Sequence, residues 1–189
     1  MKNIAIFVSG NGTNCENIIK HFSGSTEASV ALVVSNRADS YALTRAARYN
    51  IPTVVIPKSE FNDEAILMET LHRYDIDFIV LAGFLLMIPD FLVKAYDHRM
   101  VNIHPALLPK FGGKGMYGRH VHEAVKAAGE KESGITIHWV SNVCDGGEII
   151  AQYSTSLTES DSVDNIAAKV HDLEMLHYPE TIEKAISSL

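Results

Sequence analysis

The sequence predicts an α/β fold, a single domain in which a mainly parallel sheet carries helices on both faces. Short apolar runs at residues 4–8, 30–34, 53–56 and 78–82 have the length and continuity of strands buried on both sides. Between them apolar residues recur at helical spacing, as at Cys15, Ile18, Ile19 and Phe22. Strand and helix keep alternating, which implies βαβ units with right-handed crossovers. The result is a Rossmann-like, doubly wound arrangement with a ligand crevice outside the carboxyl ends of the strands.

Taken in order, the first apolar run ends in Ser9-Gly-Asn-Gly-Thr-Asn14. A strand, a glycine turn and a helix start form an anion site: glycine permits close approach, and the free amides of the first helical turn point at a phosphate. A dinucleotide fingerprint competes for the same residues. It lacks its third glycine, where Cys15 stands, and the second strand leads into Ser35-Asn-Arg37 in place of an acid. Tyr41, Leu43, Ala46 and Ala47 predict the next helix, and Leu67, Leu71 and Tyr74 another. Gly83-Phe-Leu-Leu-Met-Ile-Pro89 follows the fourth strand, where its apolar side chains form either core or a ligand wall. Residues 91–96 predict a short helix.

Asn102 and His104 come next, separated by one apolar residue, so a strand projects them from one face and Pro105 leaves them at its end. Phe111-Gly-Gly-Lys-Gly-Met-Tyr-Gly118 is a mobile loop, serving as a lid or a plain connection. His120 and His122 sit at a helix start, two apart, a spacing that does not suit metal ligands on one helical face. Thr136 and His138 alternate on a strand over residues 134–140, before a turn that contains Asp145-Gly-Gly147 and a last strand at 149–153. Val163, Ile166, Ala167, Val170 and Leu173 continue as a helix that Tyr178-Pro179 is expected to interrupt before a second helical piece.

The 189 residues have room for one well-buried domain. A formal net charge of -7 argues against general nucleic-acid binding, which relies on surplus Lys and Arg. No apolar run reaches membrane-spanning length, and no basic leader with a small-residue cleavage site is present, so a cytoplasmic protein with no membrane partner is expected. The two cysteines, Cys15 and Cys144, are too few for a disulfide framework or a cysteine-ligated zinc and read as small buried hydrophobes. No His-x-x-x-His helix supports a metal, and none is expected.

An amide donor, a titratable ring and a carboxylate are the parts of acyl-transfer chemistry. Asn-x-His-Pro-x-Leu-Leu-Pro at residues 102–109, with Asp145-Gly-Gly147 behind it, resembles the signature of the formyltransferases that use 10-formyltetrahydrofolate. The opening loop is similar to the phosphate loop of the members that act on glycinamide ribonucleotide. The resemblance covers nearly the whole chain. It implies a phosphate-binding half over about residues 1–100 and a catalytic and folate-binding half over about residues 80–189. It implies that Asn102, His104 and Asp145 are catalytic, with Asn102 and a protonated His104 stabilising the oxyanion and Asp145 raising the pKa of His104, and that Gly12, Thr13 and Asn14 hold the substrate phosphate. Glu174, in Glu-x-x-x-Tyr-Pro, would take the ribose hydroxyls. Leu85, Leu86, Met87 and Ile88, with Asn102, would receive the pterin, and Thr136 and His138 would support the centre. The implied substrates are small molecules, formyl-folate and glycinamide ribonucleotide, and the implied assembly is a monomer or homodimer. Three alternatives remain: a formyl-folate hydrolase, an enzyme with another amine acceptor, and a non-catalytic nucleotide-binding module.

Overall fold

The computed structural model describes residues 1–189. Its chain runs β1 (Lys2–Val8), α1 (Thr13–Phe22), β2 (Ala28–Ser35), α2 (Tyr41–Ala47), β3 (Thr53–Val55), α3 (Glu64–Arg73) and β4 (Phe78–Leu81). It continues through α4 (Asp90–Ala95), β5 (Met100–His104), α5 (Arg119–Ala127), β6 (Glu132–Trp139), β7 (Ile149–Ser156) and α6 (Val163–Ser187). The strands form one sheet in the order β3-β2-β1-β4-β5-β6-β7. The pairs among β1 to β5 are parallel, as expected of the alternating pattern. The β5–β6 and β6–β7 pairs are antiparallel.

The apolar runs are continuous because each strand feeds two cores. Ile4, Ile6 and Val8 of β1 pack with residues of α1, α2, α5 and α6 on one face. Ala5 and Phe7 point the other way, against Leu67 and Leu71 of α3 and Leu92 of α4. The topology reverses between β1 and β4, and there the carboxyl ends of the strands diverge to leave a crevice. No helix is long and apolar enough to cross a membrane.

Two expectations are corrected, for Cys144 and for Pro179. Of the two cysteines, Cys15 is fully buried, and burial, then the charge of Glu16, push its thiol up to about 12. Cys144 instead is exposed, because its turn lies over the crevice and not in the core. The second correction is Pro179, which does not divide the closing helix: α6 runs unbroken over 25 residues with Pro179 inside it. Proline has no N–H to offer the carbonyl four residues back, that of Met175. The side-chain amide of Asn17 on α1 donates to that carbonyl at 2.7 Å instead.

Asn17→Ala is therefore expected to cost about 1–2 kcal/mol, the lower part of the range for an orphaned acceptor, because this one is only part-buried. The loss should shrink in a Pro179→Ala background, where residue 179 recovers its own N–H. Urea unfolding of the two single variants and the double variant measures this coupling. Equal losses in both backgrounds would contradict it.

Candidate active site

The crevice is a cleft of about 940 Å³. One end is formed by the turn between β1 and α1. Gly12 occupies the N-cap of α1 in the left-handed region, at φ +77°, and no side chain caps the first turn. The loop carbonyls are drawn away from the cleft: Ser40 Oγ donates to the Gly10 carbonyl at 2.8 Å, and Arg45 Nε donates to that of Asn11 at 2.8 Å. The unpaired amides of the first turn, beginning at Thr13 and Asn14, remain for an anion. The Asn14 side chain does something else. Its Nδ2 donates to Glu174 Oε2 at 2.9 Å, so it turns from the phosphate position toward the acid on α6.

The middle of the cleft is built on the β5–β6 pair. Asn102 stands opposite His138, and His104 opposite Thr136. His138 Nδ1 donates to the Trp139 carbonyl at 2.8 Å, and its Nε2 lies 3.1 Å from Asn102 Nδ2. Only one of the two N–H groups on Asn102 Nδ2 can be spent on that contact, so at least one remains for a ligand. Thr136 is fully buried beneath the centre. It donates to the Ala106 carbonyl at 2.7 Å and accepts from the Leu108 amide at 3.0 Å, bracing the turn that follows His104.

Asp145 reaches this pair from the β6–β7 turn. Its backbone is left-handed, at φ +54°. Gly147 lets the turn close: a Cβ there would lie 1.7 Å from the Trp139 carbonyl oxygen. Asp145 Oδ2 accepts from the Gly113 amide at 2.9 Å and lies 3.4 Å from His104 Nδ1, while Oδ1 lies 3.7 Å from His138 Nε2. The three residues singled out by spacing and resemblance thus stand together on one cleft wall.

The protonation of His104 differs from the expectation. Its ring is 3% exposed. Burial pulls its pKa below the ordinary histidine value, outweighing the charge of Asp145 and the Phe111 carbonyl, which both pull up. Nε2 donates to that carbonyl at 2.7 Å, so Nδ1, facing Asp145, is the free proton acceptor. For Asp145, burial pushes its pKa up. The His138 ring, the Gly113 amide and the charge of His104 together win, holding the carboxyl below the ordinary value. A neutral base therefore sits beside an ionised acid at neutral pH.

The His104 titration midpoint, followed by NMR of its ring nitrogens, should fall below about 6.5. Asp145→Asn removes a charge that pulls upward, so it should move the midpoint further down. An upward movement would contradict this assignment.

The opposite wall comes from the segment after β4. Ser9 N–H donates to the Gly83 carbonyl at 3.1 Å and Ser9 Oγ accepts from the Leu85 amide at 2.9 Å, tying that segment to the end of β1. Leu85, Leu86, Met87 and Ile88 all border the cleft, but unequally. Leu85 and Met87 are more than half exposed, whereas Ile88 is buried in the core and presents only an edge. Lys114 and His122 also border the cleft and were given no role from sequence, and the buried Ser9 supports the wall from behind. Lys114 is the only lysine or arginine bordering the cleft. No group of three or more His, Cys, Asp or Glu side chains is placed to hold a metal ion.

Comparison with known proteins gives the same outline. Residues 2–182 match the family model described as formyl transferase. The chloroplastic phosphoribosylglycinamide formyltransferase of Arabidopsis thaliana is 41% identical over 96% of this chain. The chain spans 64% of that protein, and 60% of its counterpart from Vigna unguiculata. The phosphoribosylglycinamide formyltransferase of Bacillus subtilis is 36% identical, with 98% of this chain and 95% of that protein covered. The crystal structure of the enzyme of that name from Bacillus halodurans superposes with a TM-score of 0.89 at 35% identity, covering 98% and 96% of the two chains. With the match over almost its full length, and with the amide, imidazole and carboxylate of the motif gathered on one cleft, the chain belongs to the formyl transferase family.

Proposed function

We propose that this chain transfers the formyl group of 10-formyltetrahydrofolate to the amino group of 5'-phosphoribosylglycinamide, a step of purine biosynthesis. The observation that carries the reading is the position of Asn102, His104 and Asp145 on a cleft that also borders an anion loop and an apolar wall. The amides at Gly12, Thr13 and Asn14 take the phosphate, and Glu174 takes ribose hydroxyls. Leu85, Leu86, Met87 and Ile88 receive the pterin, with Leu85 and Met87 offering the largest free surface. Thr136 and His138 hold the centre in place from below.

In the reaction the substrate amine attacks the formyl carbon, a C–N bond forms, and the carbonyl oxygen becomes an oxyanion that the free N–H of Asn102 stabilises. The amine proton passes to the His104–Asp145 pair, where the neutral Nδ1 accepts it and the carboxylate stabilises the imidazolium. The same proton then goes to the folate nitrogen as its bond to the formyl carbon breaks. No covalent bond to the protein and no metal is needed. The acidic chain suits small-molecule substrates, with no nucleic-acid or membrane partner, in the cytoplasm, as a monomer or homodimer.

The test is the absorbance change on deformylation of 10-formyltetrahydrofolate, with and without glycinamide ribonucleotide. Turnover that depends on the ribonucleotide supports the transferase. Turnover without it indicates a hydrolase, and none under either condition indicates a nucleotide-binding module.

A further inference from the structure

His122 lies on α5 with its ring 7% exposed and borders the cleft. Its Nδ1 is buried and has no hydrogen-bond partner. Its neighbour His120 is different: that ring is exposed and pairs with Glu123. A buried ring nitrogen without a partner is costly, and native structures contain few of them. The chain has three such side-chain atoms: Asn14 Oδ1, His122 Nδ1 and Ser133 Oγ. Ser133 lies away from the cleft, whereas Asn14 and His122 both border it, as does Glu174.

The chemistry of the group follows from what is already bonded. Asn14 Nδ2 is held by Glu174 Oε2, so Asn14 Oδ1 is left as an acceptor. Glu174 is an acid whose Oε2 also takes the contact with His171, leaving Oε1 for a ligand. Burial holds the pKa of His122 below the ordinary histidine value, against the upward pull of Glu174, so one ring nitrogen is an acceptor at neutral pH. Three unused acceptors on residues bordering the cleft call for a ligand with several donors close together, and a ribose diol offers two on adjacent carbons.

We propose that His122 is a substrate-positioning residue whose Nδ1 bonds a ribose hydroxyl of the acceptor nucleotide, beside Asn14 and Glu174. The assignment rests on the ribonucleotide reading above. It extends the ribose site from α6 to α5, so that the sugar is held between two helices.

The test compares His122→Leu, which keeps the bulk and removes the nitrogen, with His122→Asn, which places an amide near the Nδ1 position. His122→Leu should raise the KM for glycinamide ribonucleotide roughly ten- to a hundredfold, the range for one lost buried hydrogen bond, with the KM for formyl-folate unchanged. His122→Asn should recover most of that loss. With a 2',3'-dideoxyribose analogue of the ribonucleotide, wild type and His122→Leu should have the same KM. A folded His122→Leu protein with unchanged ribonucleotide KM overturns the proposal, and so does an equal loss with the dideoxy analogue. The wild-type arm reports the underlying reading separately. An inactive wild type overturns both, whereas an active wild type beside an unchanged His122→Leu variant overturns only the role of His122.

Discussion

Replacing Asp145 by alanine is expected to lower turnover by about 10²–10⁴-fold, the range for loss of a positioned proton-transfer group, with the KM values of both substrates little changed. Asp145 touches His104 Nδ1 and the Gly113 amide but belongs to neither the anion loop nor the apolar wall, so its removal should spare binding. Without the carboxylate, a proton arriving on Nδ1 has no counter-charge in a site where the ring is almost wholly buried. Asp145→Asn keeps an oxygen able to accept from Gly113 and so separates charge from loop position. It should be nearly as impaired as the alanine variant. Steady-state rates together with equilibrium binding of each substrate decide the matter, and a fully active Asp145→Ala protein would falsify the mechanism.

Gly12→Val should act on the other substrate half. A Cβ at this position would lie 2.4 Å from the Ala42 Cβ and 2.6 Å from its Cα, and the backbone is left-handed, at φ +77°. A β-branched residue must therefore displace the turn from α2, at a cost in conformation and in overlap that together reach a few kcal/mol. The displaced amides no longer converge on a phosphate. The KM for the ribonucleotide should rise by roughly a hundredfold or more, with a much smaller change for formyl-folate. Ala42→Gly should rescue only part of the loss, because it removes the Cβ overlap and leaves the Cα overlap. A Gly12→Val protein with normal ribonucleotide affinity would show that the turn is not the anion site.

Much of this architecture is legible in the chain because the signals are local. A run such as residues 4–8 is apolar throughout only if both sides of the strand are covered, and the two cores on either side of β1 meet that condition. The gathering of Asn102, His104 and Asp145 could be anticipated from the motif, since one strand and one returning turn suffice to join them. What escaped the sequence depends on contacts across long separations. An unbroken α6 requires Asn17, 158 residues from the carbonyl it satisfies, and no local pattern around Pro179 reveals that donor. The depressed His104 pKa reflects how completely the folded chain excludes water from the ring, so the sign of its shift could not be read from the presence of Asp145 alone. The antiparallel edge escaped for a related reason: an apolar run is compatible with either strand direction. His122 carried no motif at all, and only the absence of a partner around a buried nitrogen marks it.

On the proposed reading, with Glu174 at the ribose, Tyr178 has a consequence for how the two substrates are aligned. Its hydroxyl donates to the Leu81 carbonyl at 2.8 Å and lies 3.5 Å from that of Val101, bridging the end of β4 and the start of β5. Glu174 lies four residues earlier on the same helix, about one turn and some 6 Å away along the axis. The helix thus works as a short ruler with its zero mark pinned to the strand that bears Asn102. An error in placing the sugar can accumulate only over that single turn, whatever happens at the distant ends of α6. Since a displacement near 1 Å at a reacting centre costs about a hundredfold in rate, this dimensional tolerance is of the size the chemistry demands. A tyrosine that touches neither substrate would in this way set the spacing between the ribose and the attacked carbon.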